Sequence, residues 1–122
     1  MSRKLEDLSA GFLPIAERFL ARLMEARLPV VIVTTLRSLP EQEKAVRDGV
    51  SWTMNSRHLT GDAIDVCPYE EYALNGRNKL MWDAKNPAWP RIGAIGQACG
   101  LKWGVVNPDG TRKDLGHFEL PR

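Results

Sequence analysis

Both histidines of this 122-residue chain sit beside carboxylates, in Ser56-Arg57-His58-Leu59-Thr60-Gly61-Asp62-Ala63-Ile64-Asp65 and in Asp114-Leu115-Gly116-His117-Phe118-Glu119. A catalytic zinc takes three protein ligands from imidazole nitrogen and carboxylate oxygen and leaves a fourth position open. His58, Asp65 and His117 supply that set if the two segments meet in space. Gly61 lets the backbone reverse between His58 and Asp65, so a loop residue and a strand residue can converge on one ion. Cys67 shares a strand face with Asp65 and offers a thiolate, so a His/Cys/His set is the lesser alternative.

Hydrolysis at such an ion also needs a carboxylate to move a proton. Two flank His117. Asp114 lies three residues before it, at the entry to the last strand, where a turn through Gly116 can aim it at the ion. Glu119 lies two residues after it and shares its face in an extended strand, as a base or as a partner orienting the imidazole. Spacing does not choose between them.

The elements that must position these groups follow from periodicity. Leu5, Leu8, Phe12, Ile15, Ala16, Phe19, Leu20, Leu23 and Met24 recur at three- and four-residue steps. That stripe predicts one or two amphipathic helices facing a core, with a break at Gly11 or Pro14 and an end at Pro29. The β-branched run Val30–Thr35 predicts a buried strand, and Pro40–Arg47 a short helix with Ser38 as its N-cap. Residues 49–60 read as polar and irregular, and Ala63–Cys67 as a short strand. Pro68–Pro90 reads as a loop holding at most one helical segment. Ile92–Cys99 predicts a helix closed by Gly100, Leu101–Trp103 a strand, Asn107–Gly110 a turn, and His117–Leu120 a last strand. If that last strand pairs with Ala63–Cys67, Asp65 and His117 project from one face. The fold class expected is α+β, a small, mostly antiparallel sheet with flanking helices in one domain spanning 1–122.

Composition excludes several classes. A net charge of +2, without a Lys/Arg block or interleaved aromatics, gives no nucleic-acid footprint. No apolar run approaches a membrane span, and Glu6, Asp7, Glu17, Arg18 and Arg22 interrupt any signal-peptide core. The expectation is a monomer made in the cytosol, without a membrane partner and with Cys67 and Cys99 reduced.

The pattern Ser56-x-His58-x-x-Gly61-x-Ala63-x-Asp65, followed by Asp114-x-x-His117-Phe118-Glu119, resembles the LAS-type zinc peptidases. Within that group, named for lysostaphin, D-Ala-D-Ala metallopeptidases and the hedgehog N-terminal domain, it looks like the D-Ala-D-Ala carboxypeptidase and L-alanyl-D-glutamate endopeptidase branch, which includes small phage endolysins. The resemblance implies a hedgehog-like fold, Zn2+ on His58, Asp65 and His117, and Asp114 rather than Glu119 as general base. It implies that Arg37 steadies the substrate carbonyl, with Ser56 and Gln42 contacting substrate or supporting the site. Gly116 replaces a tryptophan found in dipeptidase-like members, which suggests an open cleft and cleavage between L-Ala and D-Glu of a peptidoglycan stem peptide. D-Ala-D-Ala carboxypeptidase is the second reading, and a non-catalytic zinc-binding module is the reading from another class. A phage enzyme of this kind is made in the host cytoplasm and reaches the wall after holin-type release. With no separate wall-binding module, the catalytic domain itself must recognise the wall.

Overall fold

The computed structural model describes residues 1–51, 53–70 and 79–121. Its helices are α1 (Leu13–Glu25), α2 (Leu39–Arg47) and α3 (Ala88–Ala98). Its strands are β1 (Val30–Thr34), β2 (Ala63–Glu70), β3 (Lys79–Leu80), β4 (Lys102–Val106) and β5 (Arg112–Glu119). They form an antiparallel sheet in the order β1-β2-β5-β4, with β3 pairing on the far end of β2. This is the small α+β architecture expected from the sequence.

The two-residue period of the central strands divides the chemistry from the packing. Ile64 and Val66 of β2 and Phe118 of β5 join Phe12, Phe19, Leu23, Trp89 and Ile92 in one buried cluster beneath α1 and α3. The Phe19 and Phe118 rings lie 4.5 Å apart. Helix α3 approaches closely because Gly93 and Gly96 lack a Cβ, which would collide with Trp103 and Phe118. Between the apolar positions, Asp65 pairs in register with His117 and turns with it to the other face of the sheet. There α2 and the segment after it form one wall of a cleft.

Several boundaries differ from the sequence expectation. Helix α1 carries Pro14 in its first turn, where proline is tolerated, and ends before Pro29, through Arg27 in a left-handed conformation (φ 59°). Strand β1 is only partly buried at four of its five positions because it is a sheet edge. Helix α2 keeps its predicted N-cap: Ser38 and Glu41 form a reciprocal capping box. Helix α3 begins four residues before Ile92, inside the stretch read as loop; residues 71–78 of that stretch lie outside the described residues.

The largest difference is in β5, which starts at Arg112, so Asp114 lies inside the strand rather than at its entry. Trp103 pairs with Phe118 and Val105 with Lys113, leaving residues 114–117 opposite Gly104 alone. Asp114 takes φ 57° at this irregularity, a conformation that Asp and Asn adopt more readily than other side chains.

Candidate metal centre

Each of the three donor side chains is held by a different element. Ser56 caps the short 3-10 turn Arg57–Leu59, its hydroxyl accepting from the His58 amide at 3.2 Å. The end of β1 then fixes the ring: His58 Nδ1 lies 2.7 Å from the Thr35 carbonyl oxygen, and the Arg37 amide donates to the His58 carbonyl at 3.0 Å. A carbonyl only accepts, so Nδ1 carries the hydrogen and Nε2 presents its lone pair. That Nε2 is buried and has no hydrogen-bond partner. It lies 3.1 Å from Asp65 Oδ2, a contact between two acceptors rather than a hydrogen bond. Two lone pairs facing each other in a buried place are costly unless a cation lies between them.

His117 is held from both ends. Its Nδ1 lies 2.9 Å from Asp65 Oδ1 and its Nε2 2.8 Å from Glu119 Oε1. The His58 and His117 rings meet edge to face at 5.1 Å. One ligand atom from each of His58, Asp65 and His117 lies within 4.8 Å of the others, the spacing of a metal-binding triad. Gly61 makes the approach possible. It has φ +74°, and a Cβ there would stand 2.8 Å from the Ser9 amide nitrogen.

The electrostatics of the cluster suit a cation. Burial pushes the Asp65 carboxyl up, but the hydrogen bond from His117 and the two imidazoles beside it hold it well below the usual carboxylate range. Burial likewise pushes His117 down, yet hydrogen bonds to Asp65 and Glu119 raise it to about 10. In this form a proton on His117 neutralises the carboxylates that a divalent ion would otherwise neutralise.

The remaining expected residues surround the triad in a cleft of about 570 Å³, except Gln42, which stands behind it. Asp114 lines it, and burial raises its carboxyl above the ordinary value, helped by the charge of Asp65 and opposed by His117, His58 and Arg37. Arg37 is buried, and its Nη1 donates to Gln42 Oε1 at 2.8 Å. Gln42 is fully buried and donates in turn to Ser51 Oγ at 2.9 Å and the Thr53 carbonyl at 2.6 Å. It thus holds Arg37 from behind. Cys67 does not join the cluster; it is buried against the Pro68 carbonyl, and burial pushes its thiol up, away from the thiolate a metal needs.

Three contributors were not anticipated. Thr35 acts through its carbonyl, which leaves no mark in residue type. Arg57 reaches the Leu120 carbonyl at 3.4 Å and lies 4.0 Å from Glu119, tying the His58 turn to the end of β5. Trp82 lines the cleft from the stretch read as loop. An aromatic residue in a polar stretch was the one signal available for it.

Gly116 has a packing reason beyond the open site expected of it. A Cβ there would stand 2.2 Å from the Val66 carbonyl oxygen and 3.4 Å from the Trp82 ring. Backbone meets backbone, so relief requires β2 and β5 to move apart. Gly116→Ala is expected to lower stability by ~1–3 kcal/mol, read as a drop in Tm. An unchanged Tm would show that the strands yield freely.

A family model for phage L-alanyl-D-glutamate peptidase matches residues 2–119. Among solved structures, the crystal structure of the L-Ala D-Glu endopeptidase ChiX from Serratia marcescens superposes with a TM-score of 0.69 at 28% sequence identity. The match covers 96% of this chain and 83% of that one. The chain belongs to the phage L-alanyl-D-glutamate peptidase family and is an enzyme that acts on peptidoglycan.

Proposed function

We propose that the chain is a zinc-dependent endopeptidase that hydrolyses the L-Ala–D-Glu bond of the stem peptide. The observation that carries this reading is the unpartnered, buried Nε2 of His58 facing Asp65, with His117 Nδ1 beside them. His58 Nε2, an Asp65 oxygen and His117 Nδ1 would hold the ion. Two imidazoles and one carboxylate match the donor set of hydrolytic zinc sites. When bound, zinc polarises a carbonyl and acidifies water.

The other residues divide the remaining work. Glu119 already accepts from His117 Nε2, so its role is to orient the ring and leave Nδ1 for the ion. That frees Asp114, whose raised carboxyl suits a proton acceptor: it takes a proton from the attacking water and delivers it to the departing D-Glu nitrogen. The Arg37 guanidinium donates to the carbonyl oxygen as negative charge develops there, held in place by Gln42. Ser56 keeps the His58 turn in register.

The family and the Serratia enzyme favour the L-Ala–D-Glu bond over removal of a terminal D-Ala. The enzyme acts as a monomer and, made in the host cytoplasm, reaches the wall through holin-type release. No described helix is long and apolar enough to cross a membrane. Digesting purified peptidoglycan and identifying the new termini by mass spectrometry tests the bond. A new free amine on D-Glu is expected; released D-Ala would replace the reading with a carboxypeptidase.

A further inference from the structure

Trp82 is 51% exposed, although the same segment buries Trp89 almost completely. Its exposure is not a matter of looseness. Just before it, the Met81 amide donates to the Pro68 carbonyl at 2.8 Å; just after it, the Trp89 indole nitrogen donates to the Asp83 carbonyl at 3.0 Å. The Trp89 ring stacks beside Trp82 at 6.1 Å and 25°, covering one side. The rest of the indole faces the cleft, with its edge over Gly116, one residue from His117. A rigid aromatic surface left wet beside the reacting centre is a surface kept for a ligand.

The sheet order separates this surface from the cationic side of the cleft. Arg37 follows β1 at one edge; Lys44, on α2 beyond it, is paired with Asp48 at 2.6 Å and leaves Arg37 as the cation facing the substrate on that side. Among the described residues Arg37 has a neutral glutamine partner and no carboxylate within ion-pair distance. Trp82 lies over β5, towards the other edge, with Val105 of β4 also lining that side. The D-Glu side of the scissile bond carries a carboxylate close to the carbonyl that Arg37 holds, and the same guanidinium draws it to that side. The acyl side, L-Ala and the group it is attached to, is therefore directed to Trp82. A methyl group is too small to cover an indole. The next group in peptidoglycan is the pyranose ring of N-acetylmuramic acid, joined to L-Ala through its lactyl ether, and its C–H face is flat and apolar.

We propose that Trp82 is a specificity-determining residue that stacks on the muramoyl sugar, so that the enzyme prefers stem peptides still attached to glycan over free peptides. This rests on cleavage between L-Ala and D-Glu. The test compares kcat/KM on an N-acetylmuramoyl stem peptide with that on the same peptide lacking the sugar, for wild type, Trp82→Ala and Trp82→Phe. The ratio is expected to be about tenfold or more in wild type, from a stacking contact of ordinary strength. It should fall to about one in Trp82→Ala and be largely kept in Trp82→Phe. Titration of N-acetylmuramoyl-L-alanine, followed by transfer of saturation to the sugar protons, should show binding that Trp82→Ala loses. A wild-type ratio near one, or a ratio unchanged in Trp82→Ala, overturns the proposal while leaving the cleaved bond as assigned. Products cut at another bond in both substrates would instead overturn the assignment of the bond.

Discussion

Alanine at His58 or His117 is expected to reduce bound zinc from about one ion per chain to background, and hydrolysis with it. Each residue supplies one of three donors, and the remaining two cannot hold a divalent ion against solvent at the same strength. Elemental analysis of purified protein checks the metal directly and separately from activity. Asp65→Ala should behave the same way, whereas Cys67→Ala should keep its zinc because that thiol lies outside the cluster. Metal retained in both histidine variants would sink the three-donor assignment.

The same site predicts a pH dependence with a definite sign. In the metal-free protein His117 is raised from 6.5 to about 10, so its pairing with Asp65 and Glu119 stabilises the fold fully below 6.5 and is lost as pH rises through about 10. Asp65 runs the other way: its contribution is present above the ordinary carboxylate range and lost as pH falls through its lowered value. Zinc must displace the His117 proton to reach Nδ1. Below about 10, binding should therefore release about one proton, and affinity should fall about tenfold per unit of decreasing pH. Calorimetry in buffers of different ionisation enthalpy measures that proton. Binding independent of pH would mean that His117 is not a ligand.

How far these groups were legible depends on what kind of contact each makes. His58, Asp65 and His117 were readable because their types are scarce and their strand periodicity puts Asp65 and His117 on one face, as the register bears out. The apolar stripe of α1 and the capping box of α2 were readable because they are local. Asp114 was misplaced relative to its strand because the irregularity opposite Gly104 depends on β4, which is distant in sequence. Gly116 was read only as an absent side chain; its packing against the Val66 carbonyl across the sheet was not visible in the sequence. Residue type also could not distinguish the tasks proposed for Asp114 and Glu119, both carboxylates near one histidine. The separation comes from which atom each faces: Glu119 faces His117 Nε2, and Asp114 lines the open cleft.

Asp114→Asn should lower kcat by ~10²–10⁴-fold, the contribution of a positioned general base, with zinc content unchanged. Asparagine is the right replacement because the backbone at 114 has φ 57°, which Asn tolerates and Ala does not. A loss in Asn therefore reports the missing proton acceptor rather than a strained strand. The fold itself should gain. An acid whose pKa is raised in the folded state is destabilising when ionised, so its cost appears as pH rises through the ordinary carboxylate value. Asn removes that charge, so the Tm of metal-free Asp114→Asn at pH 7 should equal or exceed that of wild type. A residue kept only for structure would show the opposite: lower Tm and near-normal turnover. Should Asp114→Asn retain full activity, the base lies elsewhere and Glu119→Gln becomes the decisive variant. Loss of activity together with zinc in Asp114→Asn would instead place Asp114 among the groups that hold the ion.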